Sequence, residues 1–325
     1  MTLLRRLGTV SGLALGWVWA VAASPLLLPL VFVIDVLRGG RWALLRAYLF
    51  VLVFLSAELW GVTAAFLRWL WPSRRGWLEH HYQLQRRWVR TLFDSARWLY
   101  GAKIEVEGLE AAERGPFLLL VRHVSVADTL LPTRLLSDRY GLRLRFVLKR
   151  DLLFDPCLDI VGQRLPNAFV ARGSRDRDED LAAVRGLLTG LGPDGGVLLF
   201  PEGTRYTPER RAQVLARLKG STTPERLAKA ERLSQVLPPR LGGLEVLLAA
   251  DPPLDVVICA HTGFEGTTRL LDFWKGSLIG CRIQIAFWRI DGASIPKDPE
   301  GRVDWIYREW QRVDDWVKAH SGTGQ

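Results

Sequence analysis

Three rhythms of apolar and polar residues divide the chain. From Leu7 to Ile34 no residue is charged, and a second apolar run, Ala47 to Leu67, is interrupted only by Glu58. As helices rising about 1.5 Å per residue, both runs match a bilayer core of about 30 Å, so residues 1–71 are expected to form a membrane-anchoring helical hairpin. Pro25 and Pro29 should kink or break its first helix, so the hairpin either spans the bilayer or dips into one leaflet. Over residues 72–100 the rhythm changes. Trp77, His81, Leu84, Trp88, Leu92, Ser95 and Leu99 recur at steps of three or four with arginines on the other faces, which predicts an amphipathic linker helix. Such a helix either lies on a membrane surface or packs between anchor and domain.

From residue 101 to 325 short β-rich runs alternate with helical patterns. "KIEVEG", "FLLLV", "LRFVL", "GVLLF", "LDVVICAH" and "RIQIAFWRI" read as strands, and residues 128–140, 178–190, 208–236 and 303–319 read as helical. That alternation predicts an α/β domain built on a mixed, largely parallel sheet flanked by helices. "TPER" occurs at Thr207 and again at Thr223, each a helix start with threonine as cap and proline in the first turn.

Composition sharpens the membrane expectation. The net charge is +10, and residues 1–75 carry eight arginines against two acidic residues, so +6 of that balance lies beside the apolar runs and suits anionic lipid head groups. Nine of the fourteen tryptophans fall within the first 98 residues, with Trp42, Trp69 and Trp71 at the run ends where amphipathic rings favour the interface. Arg5 and Arg6 before "AVAAS" also fit a cleaved leader, but the apolar run continues past that point and a second one follows. The larger basic cluster after residue 67 favours a cytoplasmic domain on a cytoplasmic or inner membrane. Cys157, Cys259 and Cys281 are scattered and form no metal or disulfide pattern. No zinc-finger, RNA-recognition or basic-zipper pattern is present, so nucleic acid is not an expected partner.

Two local patterns carry candidate chemistry. In "LVRHVSVADTLL", His123 precedes Asp128 by five residues, which one continuous helix would hold about 140° apart. Ser125 and Asp128 have capping-box spacing, so a strand-to-helix bend between them would let His123 and Asp128 meet. Alone, this fits either a capped turn or an imidazole held in one tautomer to act as a base. In "GVLLFPEGTRYTP" a β run ends at Glu202, Gly203, Thr204 and Arg205, where a glycine permits close approach and an arginine can fork onto phosphate; an ordinary turn with Arg205 paired to Glu202 is the plainer alternative. Arg172 after "NAFVA" and Lys149 after "LRFVL" are further strand-end cations. No G-x-S-x-G elbow, H-E-x-x-H, Walker A loop or G-x-G-x-x-G occurs, so a hydroxyl activated by His123 would belong to the substrate.

In this order the pieces resemble the glycerolipid acyltransferase family, the 1-acylglycerol-3-phosphate acyltransferases and related lysophospholipid acyltransferases. The H-x4-D block is matched by His123 and Asp128, the second block by "NAFVAR" at Arg172, and the most specific block by "FPEGTR". "LPPRLGG" (237–243) is similar to a segment of the subgroup whose domain follows a membrane hairpin. The sequence departs from the pattern at Arg122, at Val126, and in the strand "DVVICAH", which lacks the family's proline. Arg122 is the first place to look for unusual acceptor choice.

The resemblance implies a membrane-bound O-acyltransferase. An acyl thioester, acyl-CoA or acyl carrier protein, would donate its chain to a lysophospholipid hydroxyl, 1-acylglycerol-3-phosphate foremost, with no cofactor or metal. Other acceptors, lysophosphatidylglycerol, lysophosphatidylinositol or lysocardiolipin, and a non-catalytic membrane lipid-binding protein are the alternatives. His123 would take the hydroxyl proton, Asp128 would stabilise the imidazolium, and donors near the helix start would stabilise the oxyanion. Glu202, Gly203, Thr204 and Arg205 would position the acceptor's glycerol phosphate, with Arg172 and Lys149 adding charge.

Overall fold

The computed structural model describes residues 2–71, 73–171, 177–268 and 270–321. The apolar runs form α1 (Thr2–Leu37) and α2 (Ala43–Leu70). α1 continues through Pro25 and Pro29, so the break expected there is absent. A proline removes one helical N–H and crowds the carbonyl four residues back. In that turn the Ser24 and Tyr48 hydroxyls both donate to the Ala20 carbonyl, at 2.8 and 2.7 Å.

α3 (Trp77–Tyr100) carries the predicted amphipathic pattern, with His81, Leu84, Leu92 and Leu99 buried, and it ends at Gly101 in the left-handed region. Its apolar face packs inward, joining Phe93, Leu99 and Tyr100 to the main core. Of the two placements the pattern allowed, the structure has the packed one. α2 in turn lies along the domain. Phe50 stacks on Phe273 with ring centroids 6.0 Å apart, Glu58 accepts from Trp88 Nε1 at 2.9 Å, and Arg164 Nη1 donates to the Ala65 carbonyl at 2.8 Å. At the start of α1, Arg5 and Arg6 close on the buried Asp159 carboxylate at 3.0 and 3.2 Å.

Among the described residues seven strands make one sheet in the order β1-β7-β6-β2-β5-β3-β4: β1 (Lys103–Glu107), β2 (Phe117–Val121), β3 (Arg143–Lys149), β4 (Ala168–Val170), β5 (Gly195–Leu199), β6 (Asp255–Thr262) and β7 (Arg282–Ile290). Every pairing is parallel except β6 with β7, so the sheet is mixed and mostly parallel. β2 lies between β5 and β6, and its five residues are all buried, as a near-continuous apolar strand covered on both faces should be. Gly196 in β5 is needed for that packing, since a Cβ there would sit 2.8 Å from Phe117 Cε2.

Short helices α4 (Asp138–Tyr140), α5 (Pro156–Ile160), α9 (Leu241–Leu248) and α10 (Leu270–Trp274) connect the strands, together with α6 (Arg177–Gly186). The pattern over 208–236 resolves into α7 (Pro208–Leu218) and α8 (Pro224–Arg232), with the Thr207 and Thr223 hydroxyls capping them as predicted. α11 (Pro299–His320) buries Trp310 against the opposite sheet face from α3. The sheet is thus covered by α2, α3 and α10 on one side and by α6, α8, α9 and α11 on the other.

Candidate active site

β2 delivers His123 just beyond its end, and the chain then bends sharply. A 3-10 turn, Ala127–Leu130, follows in place of the regular helix start expected from Ser125. Half of the anticipated capping box is present: the Asp128 carboxylate accepts from the Ser125 N–H at 2.7 Å, and its Oδ2 also takes the Val124 N–H at 2.7 Å. The Ser125 hydroxyl accepts from the Ala127 N–H at 3.1 Å and lies 2.8 Å from both the Thr267 carbonyl and hydroxyl oxygens, which ties this bend to the loop after β6. The bend brings His123 Nδ1 to 3.0 Å from Asp128 Oδ1. Asp128 is fully buried. Burial pushes its carboxyl up, but the His123 ring, His261 and the Ser125 amide outweigh that and hold it below the ordinary carboxylate range. With Nδ1 engaged by Asp128, Nε2 is the ring nitrogen left for a substrate proton.

The "FPEGTR" segment sits beside this pair. The Phe200 ring lies 4.4 Å from the His123 ring, centroid to centroid. Glu202 turns inward and is 1% exposed; its Oε1 accepts from the His123 N–H and its Oε2 from the Leu237 N–H, both at 2.8 Å. Burial pushes its carboxyl up to about 8, against the pull of those two amides. Glu202 therefore fixes the main chain of His123 and does not form the ion pair with Arg205 that the plain-turn alternative supposed. Gly203 has φ +63, and a Cβ there would meet Arg240 Cδ at 2.6 Å, so only glycine suits the position. Thr204 is buried, and half-buried Arg205 donates to the Thr268 carbonyl. The Tyr206 N–H closes back onto the His123 carbonyl at 2.7 Å.

The loop that supplies Leu237 is anchored in its turn. Buried Asp314 of α11 accepts from the Ser234 and Val236 amides at 2.8 and 3.2 Å. The Arg240 N–H donates to the Pro201 carbonyl at 2.8 Å, so "LPPRLGG" packs directly on "FPEGTR". Half-buried Lys149 ends β3 as predicted. Arg172 lies outside the described residues. Arg122 corrects an expectation: it is fully buried and turned into the protein, so it has no surface to offer an acceptor.

An apolar cavity of about 430 Å³ opens between the helical layer and the sheet. Phe54 of α2, Trp88 and Leu92 of α3, Leu148 of β3, Val126 beside the bend and Phe200 beside His123 are among its walls. Periodicity gave no sign of it, because its lining comes from elements spread between Phe50 and Ile283. His261 was also missed as a neighbour of the pair: it lies on β6 with Nε2 3.7 Å from Asp128 Oδ2, and no local spacing links residues so far apart in the chain.

Comparison with known proteins adds three findings. Residues 103–261 match the family model described as Acyltransferase. A 1-acyl-sn-glycerol-3-phosphate acyltransferase of Pseudomonas aeruginosa is 30% identical over 166 residues, which are 50% of this chain and 59% of that protein. The chain thus aligns with less than two thirds of that relative's length. In fold, it is similar to the crystal structure of the 1-acyl-sn-glycerophosphate (LPA) acyltransferase PlsC from Thermotoga maritima, with a TM-score of 0.54 and 16% identity, covering 86% of this chain and 95% of that one.

Proposed function

We propose that the protein, whose residues 103–261 match the Acyltransferase family model, is a membrane-bound O-acyltransferase that esterifies the free hydroxyl of a lysophospholipid, 1-acylglycerol-3-phosphate foremost. The observation that carries this reading is the His123–Asp128 pair, 3.0 Å apart, beside an apolar cavity of about 430 Å³. A catalytic base next to a dry, tail-sized cavity suits a substrate whose reacting hydroxyl sits at the end of a hydrocarbon.

The chemistry follows from the tautomer. Asp128 holds Nδ1, and Nε2 takes the proton of the acceptor hydroxyl as its oxygen attacks the thioester carbon. The new C–O bond forms, the C–S bond breaks, and the proton passes from His123 to the leaving thiolate. The substrate hydroxyl fills the role of a hydrolase serine, so no acyl-enzyme is required. Gly203, Thr204 and Arg205 form the wall assigned to the acceptor phosphate, with Lys149 and Arg172 as added charge, while Glu202 serves by fixing His123.

The hairpin belongs to the same reading. α2 is packed along the domain and roofs the cavity with Phe54, whereas α1 turns Leu4, Leu15, Trp19 and Leu26 outward, each more than two-thirds exposed. A helix pressed against the domain on one side supports insertion into a single leaflet from the cytoplasmic face, with the basic residues toward the head groups.

The test is to offer detergent-purified protein a panel of lysophospholipids with acyl-CoA and acyl carrier protein donors and to read the products by mass spectrometry. Phosphatidic acid formed from 1-acylglycerol-3-phosphate is the expected product. No ester from any acceptor with either donor would overturn the reading. In the same assay Arg205→Ala should raise the Michaelis constant for a phosphorylated acceptor by roughly tenfold or more, the scale of one lost charged hydrogen bond, with a smaller loss for acceptors lacking phosphate. An unchanged constant would remove Arg205 from the site.

A further inference from the structure

The main chain that carries His123 is tied down one residue earlier. The Arg122 N–H donates to the Cys259 carbonyl of β6 at 3.1 Å, and the Arg122 carbonyl accepts from His261 Nε2 at 2.8 Å. The guanidinium returns the contact: Arg122 Nη1 donates to the His261 carbonyl at 2.7 Å. Each residue therefore grips the other's main-chain carbonyl with its own side chain, across the neighbouring strands β2 and β6. The Arg122 guanidinium also meets Glu265 Oε1 at 2.7 Å and the Gln235 carbonyl at 2.9 Å. Both Arg122 and His261 are 0% exposed.

This contact fixes the state of His261. Its Nε2 must carry the proton to donate to a carbonyl, and its Nδ1 has no partner among the described residues. An imidazole with one unpaired nitrogen is an expensive way to fill a core position, where an aliphatic side chain would bury no polar atom. The same Nε2 lies 3.7 Å from Asp128 Oδ2. That N–H donates to the carbonyl just before His123, and its dipole also stands near, without hydrogen-bonding, the Asp128 carboxylate that orients His123. The charged and titratable groups around it are Asp128, Arg122 and Glu265, with His123 and Glu202 beyond them; burial lowers its own basicity, against the pull of Asp128.

We propose that Arg122 and His261 form a reciprocal lock that positions the His123–Asp128 pair and sets an N–H against the outer oxygen of Asp128. Both are positioning residues, and the kinetic part of the proposal rests on the acyltransferase reading. Losing the donor frees the chain at His123 and leaves the Asp128 carboxylate more electron-rich, so the carboxylate stabilises a charged imidazole more strongly.

The experiment compares the parent with His261→Phe, which keeps a ring and loses the donor, and His261→Gln, whose amide can place an N–H near the Nε2 position. The Phe variant should lower kcat on the order of a hundredfold, the effect of a displacement of about 1 Å, with both Michaelis constants within about twofold of the parent. The acid limb of its rate–pH profile should move to higher pH, and the Gln variant should restore both rate and profile. If the Phe variant does not fold, His261→Asn takes its place, because its amide sits nearer Nδ1 and leaves Nε2 without a substitute. A Phe variant as active as the parent would overturn the lock, as would a slow variant with an unmoved profile that Gln does not rescue. Nitrogen-15 NMR of labelled histidines reads the lock without turnover. His261 should be the Nε2–H tautomer with a bare Nδ1, and an Nδ1–H tautomer overturns the proposal. If the parent transfers no acyl group, the acyltransferase reading fails while the tautomer measurement still decides the lock.

Discussion

His123→Ala protein should transfer no measurable acyl group while folding and binding membranes as the parent does. A positioned general base contributes about 10²–10⁴-fold by itself, and here the imidazole also carries the proton to the leaving thiolate, so both halves of the step lose their carrier. The structure explains why folding should survive. Asp128 keeps the Val124 and Ser125 amides at 2.7 Å when the ring is gone, so no buried carboxylate is left without partners. The backbone amide of residue 123, which Glu202 holds, is unaffected by truncation of the side chain. What is lost is a ring packed on Phe200, at a site that is already 8% exposed. Activity measured by mass spectrometry, with thermal melting and vesicle flotation as controls, checks the prediction. Undiminished transfer by the variant would remove His123 from the mechanism.

The parts of this site that could be read from the sequence are those encoded within a few residues of one another. "FLLLV" is apolar at every position, which marks a strand covered on both faces, and β2 is that strand. The bend between His123 and Asp128 was legible because Ser125 and Asp128 stand at capping distance, and the back-bond from Asp128 to the Ser125 amide is its physical form. The roles that depend on contacts between distant segments were not legible. The family resemblance implied that Glu202 helps position an acceptor; its carboxyl oxygens instead span His123 and Leu237, which only the folded sheet brings together. Arg122 stood out as the place to look for unusual acceptor choice, since nothing near it in sequence tells that β6 will present the His261 carbonyl to it. Pro25 and Pro29 do not break the helix, which the local rule allowed as one outcome beside a kink. The helix runs on through both prolines, and Tyr48 of the partner helix donates to the Ala20 carbonyl one residue before the Val21 carbonyl that Pro25 leaves without its helical donor.

Glu202 carries the second large expected effect, and it appears as stability that depends on pH. Its carboxyl is pushed up to about 8 by burial, whereas the unfolded chain would titrate near the ordinary value of 4.5. Between those values the folded protein holds a proton that the unfolded chain has released, so raising the pH favours unfolding. The contribution of this group is fully present below about 4.5 and is lost as the pH rises through about 8. Relative to Glu202→Gln, the parent should therefore melt at progressively lower temperature from about pH 5 to about pH 9. Glu202→Gln is neutral throughout and offers one carbonyl oxygen, so it should flatten this dependence and keep either the His123 or the Leu237 amide. Glu202→Ala orphans both buried amides, at about 1–3 kcal/mol each, and should destabilise the protein by about 2–6 kcal/mol while releasing the main chain of His123. Melting curves across that pH range separate the three proteins. A stability difference between parent and Glu202→Gln that does not change from pH 5 to pH 9 would show that Glu202 does not titrate in the fold, and an Ala variant as stable and active as the parent would show that it does not hold His123.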